Sequence, residues 1–80
     1  MEGNTMIEKQ SLAVLDFIAK AEHERESKSI IPHNVPYIEV SRGVGELDRL
    51  KLDYILESLC SLGRLKKHEM INGYSYSIKK

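Results

Sequence analysis

Leu52-Asp53-Tyr54-Ile55-Leu56-Glu57-Ser58-Leu59-Cys60-Ser61-Leu62-Gly63-Arg64-Leu65 reads as a helix that stops at a glycine and turns into a strand. Leu52, Ile55, Leu56, Leu59 and Leu62 recur at three- and four-residue steps, the spacing of one helix face. Gly63 suits the left-handed residue that closes a helix without a Cβ clash. Beyond it, Lys66-Lys67-His68-Glu69-Met70-Ile71 and Tyr74-Ser75-Tyr76-Ser77-Ile78 flank Asn72-Gly73. Asn-Gly between two strand-forming runs predicts a two-residue type I′ hairpin over about 64–78. In that register Ile71 faces Tyr74, Glu69 faces Tyr76 and Lys67 faces Ile78. Tyr74, Tyr76 and Ile78 share one face of the last strand, with the tyrosines packing on the first helix or reaching an anion beside Lys67.

Working back toward the N-terminus, Asp48 is a good cap for a helix over about 49–62. Leu50, Tyr54, Glu57 and Ser61 fall opposite its leucine stripe. Val44-Gly45-Glu46-Leu47 is then a turn, with Leu47 plugging between two helices. Pro36 suits the first turn of a preceding helix, with Asn34 as its cap, and Ile38, Val40, Ser41 and Val44 carry it over about 36–44. Gly43 weakens that helix by about 1 kcal/mol relative to alanine. Tyr37-Ile38-Glu39-Val40 also has strand propensity, so the sequence leaves both readings open and the capped helix that follows favours the helix.

Ser29-Ile30-Ile31, ended by Pro32, is a short β-branched patch that can pair as a third strand at about 29–31. Thr5-Met6-Ile7-Glu8 has capping-box spacing and predicts a first helix over about 6–24. Its apolar face is Ile7, Leu12, Val14, Leu15, Ile18, Ala19 and Ala21. The charged run His23-Glu24-Arg25-Glu26-Ser27-Lys28 reads as a solvated loop.

Eighty residues with 41% apolar side chains fit one small folded domain, 1–80. A lone cysteine, no leader-like start and no long apolar run point to a reducing cytoplasm and no membrane span. Twelve basic residues balance twelve acidic ones. The balance is uneven along the chain: residues 1–40 carry net −3 and residues 41–80 net +3. A polyanion would feel the local field of the basic half.

The order helix, short strand, helix, helix, strand, strand is an α+β arrangement. With Val40-Ser41-Arg42-Gly43-Val44-Gly45 as second helix and turn, Leu52-Ile55-Leu56-Leu59-Leu62-Gly63 as third helix and stop, and the Asn72-Gly73 hairpin, it resembles the winged helix-turn-helix DNA-binding domains over about residues 7–78. The resemblance implies a third helix lying in the major groove and a hairpin wing touching the backbone or minor groove. It presents Arg49, Leu50, Lys51, Asp53, Tyr54, Glu57, Ser58 and Ser61 to the groove. The implied contacts to double-stranded DNA are Arg42, Arg49, Lys51, Tyr54, Ser58, Arg64, Lys66, Lys67 and His68. A transcriptional regulator or accessory factor follows, expected as a two-fold dimer.

The exposed face departs from a good base reader, where arginine, lysine, asparagine and glutamine are favoured. Asp53 and Glu57 stand there beside Leu50 and Tyr54. The alternative is a winged-helix protein-interaction module that docks a partner through the Leu50–Tyr54 face.

Catalytic and metal chemistry find no pattern. His23, His33 and His68 lie singly, without ligand spacing to Cys60, which sits among leucines as a small hydrophobe. Gly43-Val44-Gly45 lacks the third glycine and preceding strand of a dinucleotide loop. Glu22, Glu24 and Glu26 have no shielded pocket for acid–base work. The expectation is no enzyme, no metal and no cofactor.

Overall fold

A computed structural model describes residues 2–30, 33–71 and 73–79, with side chains described from residue 8 onward. The elements in order are α1 (Glu2–Ser27), β1 (Val35–Pro36), α2 (Tyr37–Gly43), α3 (Arg49–Ser61), β2 (Leu65–Met70) and β3 (Gly73–Ile78). The strands form one antiparallel sheet in the order β1-β3-β2.

Both ends of α3 are fixed by local chemistry. The Asp48 carboxylate accepts from the Lys51 backbone N–H at 2.8 Å, satisfying one of the helix's open donors. At the other end Gly63 takes φ +76°, its N–H donates to the Cys60 carbonyl at 3.1 Å, and the Arg64 N–H donates to the Leu59 carbonyl at 2.9 Å. That paired closure is the glycine-dependent helix stop expected of the sequence. Leu52, Ile55, Leu56 and Leu59 are all buried. Leu62, expected in the same stripe, is 74% exposed. Three residues beyond Leu59 it has turned about 60° off the stripe, at a helix end that nothing covers.

The cover over the stripe comes from α1 and the sheet. Val14 and Ile18 of α1 are fully buried against it, together with Val35, Leu65 and Tyr76 from the three strands. α1 is longer than the sequence reading at both ends, so Thr5 lies inside the helix, not at its cap. The box contacts of Thr5 and the packing of Ile7 lie outside the described side chains. Leu12 and Ala19, expected on the apolar face, are exposed. The charged run is helical to Ser27 because it is internally paired: Lys28 Nζ meets Glu24 Oε1 at 2.8 Å, Ser27 Oγ donates to the Glu24 carbonyl at 3.0 Å, and Arg25 pairs with Glu39 of α2. Ser29 then ends it in the left-handed region at φ 58°.

The third strand is Val35–Pro36, in place of the predicted Ser29–Ile31, of which Ile31 lies outside the described residues. Val35 pairs with Tyr76 and Pro36 with Ser75. Val35 is fully buried while Ile30 is exposed, so the core selects the later residue. An edge strand also tolerates Pro36, which has no N–H to donate. Pro36 is at once the N-cap of α2, with extended φ −62° and ψ 149°, displacing Asn34 from that role. Residues 37–40 are helical, and the alternative strand is excluded.

The β2–β3 register differs from the expected one by two residues: Leu65 faces Ile78, Lys67 faces Tyr76, Glu69 faces Tyr74 and Met70 faces Gly73. A two-residue slip keeps every side chain on its face. It also places buried Leu65 opposite half-buried Ile78, whereas the expected pairing leaves Leu65 beyond the end of β3. Gly73 therefore pairs with Met70 at the strand end, with φ +141°, and Asn72 lies outside the described residues. The far end of β3 is tied to α1, where Glu22 Oε1 accepts from the Ile78 N–H at 2.7 Å. No described helix is long and apolar enough to cross a membrane.

Gly43 marks the closest approach of α2 to α1. A Cβ there would lie 2.2 Å from Phe17 Cε1. Gly43→Ala should therefore destabilise the chain by about 1–3 kcal/mol, the range for overpacking. The usual helical sign is the reverse, a gain of about 1 kcal/mol. In a Phe17→Leu background, which removes the ring, the alanine should become neutral or favourable in urea unfolding. Leu56→Asp, placing a charge in the shared stripe, should abolish cooperative unfolding. A two-state Leu56→Asp variant would show that α3 does not present this face to the core.

Candidate interaction site

The solvent side of α3 is a ridge with a concavity on each flank. Leu50, 83% exposed, and Tyr54, 61% exposed, form the crest. They are four residues apart, so they stack along the helix.

On one flank α3 faces the β2–β3 hairpin and the start of α2 across a cleft of about 960 Å³. Its α3 wall is Arg49, Asp53 and Glu57, and its opposite wall is Tyr37, Lys67, Tyr74 and Tyr76. Every charge in it has a partner. Tyr37 Oη donates to Asp53 Oδ1 at 2.7 Å, and the Arg49 guanidinium sits 5.9 Å from the Tyr37 ring centre. Lys67 Nζ donates to Glu57 Oε1 at 2.9 Å and stands 4.1 Å from the Tyr74 ring centre. The rim is apolar, with Ile38, Met70 and Ile71 exposed.

Titration behaviour follows from these contacts. Burial, then the hydrogen bond to Asp53, raises the Tyr37 hydroxyl. The Glu57 hydrogen bond raises the Lys67 ammonium. Burial pushes Tyr76, on the cleft floor, up to about 12. Cys60, behind it, is raised by burial and by Glu57, which disfavours a reactive thiolate.

On the other flank α3 and α1 enclose a second groove of about 840 Å³. Leu12, Leu15, Tyr54 and Leu62 line it, with Glu8, Ser58 and Arg64 beside them.

The nine cationic and polar residues singled out in the sequence do not gather on one surface. Arg49 and Lys67 enter the hairpin cleft with two carboxylates between them. Tyr54, Ser58 and Arg64 line the α1 groove. Lys66 and His68 alternate with Lys67 along β2 and so project from the opposite sheet face, where His68 Nε2 lies 2.8 Å from Ser77 Oγ. Arg42 is exposed in the last turn of α2, and Lys51 is exposed in the first turn of α3. Sequence reasoning missed Tyr37 and the Ile38, Met70 and Ile71 rim. The signal for Ile71 was its place beside Asn72-Gly73, where a hairpin tip leaves an apolar side chain uncovered. Among the described residues no group of three His, Cys, Asp or Glu side chains is placed to hold a metal.

Tyr76 gives a pH dependence whose sign is fixed. Its folded pKa lies above the unfolded value of about 10, so its contribution to stability is complete below that pH. It is lost as pH rises toward the folded value of about 12. Urea midpoints measured between pH 9 and 12 should fall over that window, and Tyr76→Phe should flatten the fall.

No family model matches the chain, and no curated protein or solved structure matches it either.

Proposed function

We propose that this chain is a winged-helix domain serving as a protein-interaction module, with α3 and the cleft beside the hairpin as its docking surface. The observation that carries this reading is the face α3 turns outward: Leu50 and Tyr54 as an apolar crest, flanked by Asp53 and Glu57. Phosphates approaching that face meet two carboxylates. Lys67, which would otherwise anchor a phosphate at the base of the wing, is held by Glu57. A partner segment with an apolar anchor suits the Leu50–Tyr54 crest and the Ile38–Met70–Ile71 rim, and exposed aromatics commonly anchor such contacts. The free, half-buried Cys60 suits a reducing cytoplasm as its setting.

A second reading, a DNA-binding regulator, is favoured by Arg49 and Lys51 in the first turn of α3 and Arg42 in the last turn of α2, on the two helices of the turn. The two readings separate in one titration. At about 50 mM salt and micromolar protein, a random-sequence duplex pool should show no binding, whereas a chain that contacts phosphates would bind the pool nonspecifically under such conditions. Tight, salt-sensitive binding would overturn the interaction-module reading. Loss of about two units of salt slope in the Lys66→Ala, Lys67→Ala double variant would then locate the phosphate contacts.

A further inference from the structure

We propose that the open edge of β2 pairs with the β2 edge of a second copy of this chain, antiparallel about a two-fold axis, so that one sheet runs through both copies. The contact is made by main-chain groups and does not depend on what the cleft beside α3 binds.

Hydrogen-bond alternation fixes which groups face that edge. The Lys79 N–H donates to the Arg64 carbonyl at 3.1 Å, so Arg64 and Lys79 form a hydrogen-bonded pair. By the alternation of an antiparallel ladder, Lys66, His68 and Met70 also bond to β3, while Leu65, Lys67 and Glu69 turn their N–H and C=O groups away from it. The partner strand agrees, because the Ile78 N–H, opposite Leu65, points away from β2 and is taken by Glu22. On that side β3 is met by β1 and Glu22. On the other side β2 ends the sheet, and the outward main-chain groups of Leu65, Lys67 and Glu69 have no hydrogen-bond partner among the described residues. Such a row of donors and acceptors is a template for another strand. Lysines commonly guard an edge of this kind, but the Lys67 ammonium is drawn down to Glu57 of α3 at 2.9 Å and leaves its own main chain open.

The sequence of β2 says which strand fits. Outward-facing residues must oppose outward-facing residues, which limits self-pairing to a few registers. With the axis at His68, Lys67 falls opposite the second copy's Glu69 and Glu69 opposite its Lys67, joined by about four main-chain hydrogen bonds. Just beyond them, fully exposed Ile71 comes beside the second copy's Leu65, apolar against apolar. Moving the axis to Lys67 sets lysine against lysine, and moving it to Glu69 sets glutamate against glutamate. Like charges directly opposite are destabilising, so charge complementarity selects the register centred on His68. A second copy supplies that complement by symmetry alone. Zero formal net charge leaves no long-range repulsion between copies.

Sedimentation equilibrium of the full chain from about 1 to 200 µM tests the association. The wild type should sediment as a dimer at the upper end. Glu69→Pro removes an outward N–H that the hairpin does not use, so it should raise the dissociation constant at least about tenfold while helical circular dichroism is retained. Cysteine cross-linking tests the register independently of the proline. In a Cys60→Ser background, His68→Cys places two thiols across the axis, on Cα atoms about 4.5 Å apart, and mild oxidation should join them. Lys66→Cys in the same background sets its thiols several residues apart along the paired strands and should stay unlinked. A wild type that stays monomeric, a folded Glu69→Pro variant that associates unchanged, or a Lys66→Cys variant that cross-links as readily as His68→Cys would each overturn the proposal.

Discussion

Four apolar side chains on one face of a thirteen-residue helix have to leave water together, and neighbouring elements must supply the cover. Each of Leu52, Ile55, Leu56 and Leu59 contributes about 1.5–3 kcal/mol when fully buried. In the structure α1 covers the stripe with Val14 and Ile18, while the sheet covers it with Val35, Leu65 and Tyr76. Much else follows from that demand. Val35 becomes a strand because it must reach Tyr76, the hairpin adopts the register that brings Leu65 opposite Ile78, and α2 is drawn close enough to α1 that a Cβ at residue 43 would meet the Phe17 ring.

The parts legible in the sequence are those whose cause is local. Asp48 and Gly63 act on backbone groups within three or four residues, so both ends of α3 could be read directly. The illegible parts depend on partners far along the chain. Ser29–Ile31 and Val35–Pro36 look equally short as strands, and the choice rests on contact with Tyr76, some forty residues away. The hairpin register is similar: the turn chemistry of Asn72-Gly73 was outweighed by the pairing of Leu65 with Ile78. α1 continued through its charged run because Arg25 found Glu39, a partner that no periodicity within the helix reveals.

For the candidate site, the Leu50–Tyr54 crest and the mixed charge of α3 were visible as helical positions opposite the stripe. How the charges are satisfied was not, since Glu57 meets Lys67 only across the fold and Asp53 meets Tyr37 from another helix. Those pairs decide the character of the cleft. They turn a face with two acids and two bases into a neutral, aromatic-lined surface with an apolar rim. The alternation of β2 has the same kind of effect, sending Lys66 and His68 to the sheet face away from Lys67 and dividing what reads in sequence as one basic run.

α1, α3 and the hairpin share one core, and a shared core should open cooperatively. Native-state amide hydrogen exchange tests it most directly, because amides that open only with the whole domain share its unfolding free energy. One common value, with the same denaturant dependence, is expected for the amides of Ile18 in α1, Leu56 and Leu59 in α3, and Tyr76 in β3. If Tyr76 exchanged through a separate, lower-energy opening while Ile18 and Leu56 stayed protected, the hairpin would be an appendage outside the cooperative core.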